Sequence, residues 1–231
     1  MTTAYYEHRI AQVSSRKPRK TLRSPVRHIA IRKELIAASK TRLVLRPEGR
    51  PKSAVAYRIT DEDGSPQFTV TGRKYNDRSC REFRDASGLP LFELHRRIAF
   101  TNIWSVSLPG SNNGSIAMGT PRWSLSSASA GNFNITFENA AAIHNKSEQE
   151  KKLTLQVERH GNALALFDIV DGDRKVAEVR ESIQHNEKLA LMRGSRQGYR
   201  PALDVIVTPG VDLSLIVIIA VIVEDWIFGA S

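Results

Sequence analysis

Residues 211–223 read VDLSLIVIIAVIV, and eleven of these thirteen are apolar. Three environments accept such a run: a bilayer, a buried strand or a buried helix. A membrane span takes about 20 apolar residues to cross a hydrocarbon core about 30 Å thick. This run holds thirteen, one of them is Asp212, and Glu224 and Asp225 close it. A transmembrane span is therefore not expected. Eight of the thirteen are Val or Ile, which favour sheet. Continued through Phe228, however, the segment has 18 residues, which is long for a strand. Its entry favours helix. "TPGVD" breaks the preceding strand, and Asp212 stands where a carboxylate accepts from free backbone N–H groups and meets the positive end of the helix dipole. Glu224 and Asp225 are misplaced for that dipole, a small cost if they face solvent.

A helix that is apolar all round must be covered on every side. With side chains it is about 10–12 Å wide. An eight-stranded barrel is filled by its own side chains, so a barrel of about twelve strands has room for one helix on its axis. Eighteen residues at about 1.5 Å each span about 27 Å, near the height of a tilted barrel wall.

The chain before the helix supplies the strands. "AVAYRITDEDGSPQFTVTG" (54–72) alternates Val55, Tyr57 and Ile59 with small or polar residues, reverses at "DEDGSP", and resumes with Phe68 and Val70. Gly64 tolerates positive φ there, and Asp63 is placed to bond the nearby backbone. The unit recurs in "REFRDASGLPLFELHR" and in "LALFDIVDGDRKVAEVRE", which turns at Asp171-Gly172. Further strands read at 102–108, 122–125, 132–138, 153–159 and 203–207, while 105–120 and 139–151 read as flexible loops. Phe133, Ile135 and Phe137 alternate with Asn134 and Thr136, the pattern of antiparallel sheet with one wet face. The chain reads as mainly β: eleven or twelve strands suggest a sandwich or a barrel, and the central apolar C-terminal helix is housed by a closed antiparallel barrel of about twelve strands around it.

Charge divides the chain. Residues 1–50 carry 13 Lys or Arg against 3 Asp or Glu, and residues 51–231 carry 21 of each sign, so the whole net charge of +10 sits on the first fifth. "RKPRKTLRSPVRHIAIRKE" mixes basic residues with Pro18 and Pro25 and has little period. Residues 1–41 are expected to form a mostly disordered basic arm, with room for a short helix at 29–39, and 42–231 the folded domain. Arg16, Lys17, Arg19 and Lys20 suit an acidic partner: an anionic leaflet, nucleic acid or a nuclear import receptor. No charged-then-apolar leader opens the sequence, and a cytoplasmic protein, peripheral to a membrane or nuclear, is expected.

The hairpins and the C-terminal run together resemble the LURP-one-related family, grouped with tubby C-terminal domains and phospholipid scramblases. Tyr57, Ile59, Asp61, Gly64, Phe68, Val70 and Gly72 carry the match in the first hairpin. Asp85, Gly88, Leu91, Phe92 and Leu94 carry it in the second, and Pro209, Gly210, Val211 and Asp212 introduce the helix. The resemblance implies a tubby-like barrel of twelve antiparallel strands enclosing the helix. It also implies, through the tubby relatives, phosphoinositide binding by basic residues on the barrel exterior, and, through the scramblases, lipid movement. No ligand residue of either group carries over one by one.

No catalytic constellation emerges. His8, His28, His95, His144, His160 and His185 show no metal-ligand spacing, and there is no nucleophile elbow, phosphate loop or H-E-x-x-H. "DEDG" and "DGD" lack the remaining ligands of a calcium loop. Cys80, the single cysteine, reads as inert and partly buried. No enzyme, cofactor or metal is expected. Arg73, Lys74, Arg78, Arg81 and Arg84, with Arg96 and Arg97, lie on consecutive predicted strands and form the candidate phosphate or lipid patch. The expected function is that of a monomeric, non-enzymatic module holding anionic phospholipid head groups. The alternatives are scramblase-like lipid transport, or a nuclear regulator whose arm binds nucleic acid or an importin.

Overall fold

The computed structural model describes residues 20–49, 56–75, 78–98, 102–111, 114–122, 131–143, 148–160, 166–186 and 200–228. Twelve antiparallel strands are found among them: β1 (Thr41–Glu48), β2 (Ala56–Thr60), β3 (Pro66–Tyr75), β4 (Arg78–Asp85), β5 (Pro90–Ile98), β6 (Asn102–Ser107), β7 (Ser115–Pro121), β8 (Phe133–Glu138), β9 (Lys152–His160), β10 (Leu166–Asp171), β11 (Arg174–Glu181) and β12 (Leu203–Val207). Each pairs with its sequence neighbours, and β1 pairs with both β2 and β12, which closes the barrel. Closure leaves no sheet edge to template association.

The central helix, Leu213–Phe228, runs through the barrel. Its sixteen residues span about 24 Å at about 1.5 Å each. Leu215 to Ala220 are all 0 % exposed, as only a ring of strands around the helix permits. The wall meets it with the inward residues of each strand, among them Tyr57 and Ile59, Val70, Phe83, Phe92, Phe133 and Ile135, and Val205. No helix among the described residues is long and apolar enough to cross a membrane.

The repeated turns share one device. Asp61 Oδ1 accepts from the backbone N–H of Asp63 (3.0 Å) and Ser65 (2.8 Å), with Gly64 at φ 84°. Asp85 Oδ1 accepts from the N–H of Ser87 (2.9 Å) and Leu89 (2.9 Å), with Gly88 at φ 87°. The carboxylate that organises the first turn is thus Asp61, two positions before the Asp63 expected, because the residue leaving the strand is the one whose side chain faces the turn's free N–H groups.

Two kinds of sequence expectation are corrected, the first concerning strands and loops. The stretch 105–120, read as a loop, contains the end of β6 and all but the last residue of β7. Strand β7, SIAMGTP, is poor in β-formers because its inward positions are small. A Cβ on Gly119 would stand 3.4 Å from Trp104 Cβ and 3.8 Å from Ile222 Cδ1. That space admits the stack of Trp104 on Trp226, with ring centroids 4.8 Å apart. The strand read at 122–125 does not continue past Pro121 within the described residues, and 123–130 lie outside them. The segment 139–151, also read as a loop, carries a 3₁₀ turn at Ala140–Ala142 and a short helix at Glu148–Lys151.

The second correction concerns the arm. Residues 1–19 lie outside the described residues, but 20–40 pack against the barrel instead of standing free. Ile29 and Ala30 are 0 % exposed, and Ala37 is buried with them. The contact is backbone to backbone: Ile29 N–H donates to Gly210 O (3.0 Å), Asp212 N–H to Ile29 O (2.9 Å), Ala37 N–H to Val211 O (2.9 Å) and Gly210 N–H to Ala37 O (2.9 Å). The segment closes the barrel over the start of the central helix. Its apolar residues lack a period because it forms single bridges and one 3₁₀ turn, Lys33–Leu35, within the 29–39 stretch that had room for a short helix.

Candidate functional site: the charged surfaces of the barrel

The seven arginine and lysine positions proposed as one patch do share three adjacent strands. Arg73 pairs with Cys80, Lys74 with Ser79, and Arg78 with both Tyr75 and Arg97. The side chains of Arg73, Lys74, Arg78 and Arg97 lie outside the described residues, as do Arg16, Lys17 and Arg19 of the arm. The other three do not share a face. Arg84 lies on the outside, 2.5 Å from Glu82, and donates to Gly88 O (2.9 Å). Arg81 turns inward. Its register partners are Gly72 and Leu94, and Leu94 is buried in the core. Arg96, two residues beyond Leu94 on β5, brings its guanidinium 6.0 Å from the buried Trp104 ring. Strand alternation separates what proximity in sequence groups.

Arg81 belongs to a cluster at the C-terminal end of the central helix. Its Nε and Nη2 donate to Asp225 Oδ2 (2.7 Å) and Oδ1 (2.6 Å), a two-point clamp. The guanidinium also lies 5.0 Å from the centre of the Tyr57 ring. The Tyr57 hydroxyl is 2.5 Å from Glu224 Oε2 and 2.9 Å from Asp225 Oδ1. Arg200 Nε stands 3.2 Å from Glu224 Oε1. Glu224 is 0 % exposed and Asp225 9 %, so these carboxylates are interior, and solvent does not lessen the cost of their placement against the helix dipole. Two arginines and two carboxylates balance in charge. Burial raises the Tyr57 hydroxyl far above its ordinary pKa, and Asp225 and Glu224 add to the rise. Burial also works against the charge of Arg81, but Asp225, Tyr57 and Glu224 together outweigh it and the pKa rises. Burial pushes Glu224 up to about 7, against the pull of Arg200.

The opposite end of the helix is held by Asp212. Oδ1 accepts from Ser214 N–H (2.8 Å), Ser214 Oγ (2.7 Å) and Leu215 N–H (3.4 Å), and Oδ2 from Ile31 N–H (3.0 Å) and Arg32 N–H (2.8 Å). The sequence-predicted cap is present, and the folded arm supplies two further donors to it.

On the outer wall, ion pairs run across five strands. Arg42 (β1) meets Asp204 (β12) at 2.9 Å, and Arg180 (β11) meets Asp204 at 3.6 Å and Glu178 at 3.7 Å. Lys175 Nζ bonds Glu178 (2.8 Å) and Asp168 on β10 (3.1 Å), and Asp168 bonds His160 on β9 (2.8 Å). Burial pushes the Asp168 carboxyl up, but His160 and Lys175 outweigh that and hold it low. Signs alternate along the row, so it ties strands together and presents no net charge of one sign.

Exposed cations remain on the folded part of the arm: Lys20, Arg23, Lys33 and Lys40. Beside the arm lies an open groove of about 420 Å³ lined by Ile31, Leu108, Ile116, Ile143, Lys151 and Lys152. Sequence spacing missed a third feature. Cys80 on β4 stands directly across from His95 on β5, with Glu93 two residues along, and their ligand atoms all lie within 4.8 Å of one another. The spacings 80, 93 and 95 follow no linear metal motif, and only the register joins them.

Comparison with known proteins gives two positive findings. The family model described as LURP-one-related matches residues 41–224. A solved structure of a protein from Arabidopsis thaliana is similar over 86 % of this chain and 98 % of that one, at 18 % identity and a TM-score of 0.52, which is a likeness of fold. No curated protein matches.

Proposed function

The chain belongs to the LURP-one-related family, and from that premise we propose that it is a non-enzymatic binding module that attaches peripherally to anionic membrane surfaces through its basic N-terminal segment. The observation that carries this reading is where the fold leaves its uncompensated charge. The barrel interior is filled by the central helix, so recognition falls to the exterior. On the exterior, the charged row across β1 and β9–β12 is internally neutralised. The net +10 belongs to residues 1–50, whose folded part anchors the segment to the barrel and exposes Lys20, Arg23, Lys33 and Lys40. Each basic residue near an anionic leaflet contributes about 1 kcal/mol, so four give about 4 kcal/mol and the three further arm cations Arg16, Lys17 and Arg19 raise this to about 7. That is reversible attachment, from about 1 mM for four cations to about 10 micromolar for seven.

Lipid movement of the scramblase kind would require the central helix to leave the barrel. Its enclosure on all sides favours binding over transport.

Cosedimentation of the full chain with vesicles tests the proposal. Recovery should be greater on vesicles containing phosphatidylserine or phosphoinositide than on neutral ones, and should fall steeply with salt. Replacing Lys20, Arg23, Lys33 and Lys40 together by Glu should abolish the difference. Equal recovery on neutral and anionic vesicles at low salt would exclude the function.

A further inference from the structure

We infer that Cys80, Glu93 and His95 form a surface site for one divalent transition-metal ion of the zinc class, held by thiolate, carboxylate and imidazole. The two strands place the ligands without rearranging the backbone. Cys80 and His95 are direct partners in the antiparallel ladder, and Glu93 lies on the same face as His95 by strand alternation. His95 Nε2 and Glu93 Oε2 are 3.2 Å apart. Tetrahedral zinc, with bonds of about 2.0–2.3 Å, sets its ligand atoms about 3.3–3.6 Å apart. The imidazole and carboxylate, at 3.2 Å, come close to that spacing. The thiolate lies within 4.8 Å of both and needs a side-chain adjustment of about 1 Å.

A second carboxylate stands beside the site. Glu82 is the direct cross-strand partner of Glu93, so two carboxylates face each other on the same wall as the thiol. Like charges placed opposite one another cost stability unless a positive charge lies between or beside them. Arg84 takes up Glu82, at 2.5 Å. Glu93 Oε1 accepts from Gly110 N–H at 3.4 Å, which orients the carboxylate and leaves Oε2 directed at His95. The side chains of His95 and Glu93 are 38 % and 29 % exposed, so an ion has a path from solvent.

The donor set selects the ion. Sulfur with imidazole and carboxylate suits Zn²⁺ and its spectroscopic substitute Co²⁺, whereas Mg²⁺ and Ca²⁺ take oxygen ligands. Binding displaces the thiol proton to solvent, and thiolate and carboxylate together neutralise the ion's two positive charges. Three protein ligands leave a tetrahedral ion one position for water or an external anionic group, and the ion would staple β4 to β5.

Chelator-treated full-length protein titrated with Co²⁺ tests the site. One equivalent should bind, with a thiolate-to-cobalt charge-transfer band that Zn²⁺ bleaches. Cys80→Ser should lose that band, and Cys80→Ser, His95→Ala and Glu93→Gln should each weaken zinc binding by at least about tenfold. His160→Ala, on the far wall, should bind as wild type. Circular dichroism melting of each variant without metal establishes that it is folded. Failure of the wild type to take up one equivalent, or unchanged zinc affinity in folded Cys80→Ser and His95→Ala, would overturn the inference.

Discussion

The two ends of the central helix carry the same chemical group and treat it in opposite ways. At the entry, one carboxylate, Asp212, is met by the backbone N–H groups of four residues and one hydroxyl. At the exit, two carboxylates, Glu224 and Asp225, are met by the side chains of Tyr57, Arg81 and Arg200. The helix dipole favours the first arrangement and opposes the second. The entry therefore needs only backbone donors, which have no competing charge state. Ionised, the exit needs full cations drawn from elsewhere in the chain, and one member, Glu224, titrates in an accessible range.

The largest effect is expected at the entry. Asp212→Ala leaves the N–H groups of Ile31, Arg32, Ser214 and Leu215 buried without their acceptor, at about 1–3 kcal/mol each. A loss on the order of 5 kcal/mol follows, and urea titration should show a protein largely unfolded. An Asp212→Ala variant as stable as wild type would show that the arm does not clamp the helix.

Arg81→Ala comes next. It strips Asp225 of its two-point partner inside the barrel, which costs about 3–5 kcal/mol. The loss should be greater at pH 8 than at pH 5, because a protonated cluster depends less on its cations. An equal loss at both pH values would place the charge balance elsewhere.

The third prediction is the pH dependence itself. Glu224 has an ordinary pKa of 4.5 and one of about 7 in the folded protein. Between those values the folded state binds more protons than the unfolded, so stability falls as pH rises. The group contributes most below 4.5, and about 3 kcal/mol of that contribution is gone above 7. Glu224→Gln should remove this slope from a series of urea titrations between pH 4.5 and 8. Burial raises Asp212 as well and gives a slope of the same sign, so the share of Glu224 is read as the difference between wild type and Glu224→Gln at each pH.

The smallest effect is expected outside the barrel. Arg58 and Glu48 form a 2.7 Å pair, but their side chains are 57 % and 45 % exposed. Arg58→Ala should change stability by less than about 1 kcal/mol. A loss rivalling that of Arg81→Ala would mean that burial does not rank these pairs.

Much of the architecture was legible because it is written in short-range pattern. Alternation gave inward residues of β2, β3 and β8, and the D-x-x-G turns gave the first two hairpins. Strand β7 was not legible because its small inward residues answer to Trp104 and the helix, which lie elsewhere in the sequence. The basic patch was misread in part because seven cations close in sequence were grouped before their faces were known. Arg81 faces the core beside Tyr57, while Arg84 faces out beside Glu82. Residues 20–40 looked like free chain because their partners, 210–212, are nearly two hundred residues away.

What the sequence determined by itself was that an apolar segment too short for a bilayer and too long for a strand must be surrounded, and that alternating hairpins were available to surround it. Local periodicity and turn chemistry suffice for that, since both act within a few residues. Only the tertiary structure decided which wall each arginine faces, what neutralises Glu224 and Asp225, and that Cys80, Glu93 and His95 meet. Those outcomes depend on strand register and on contacts across the barrel, and a one-residue change of register would reverse every one of them without altering the hydrophobic composition.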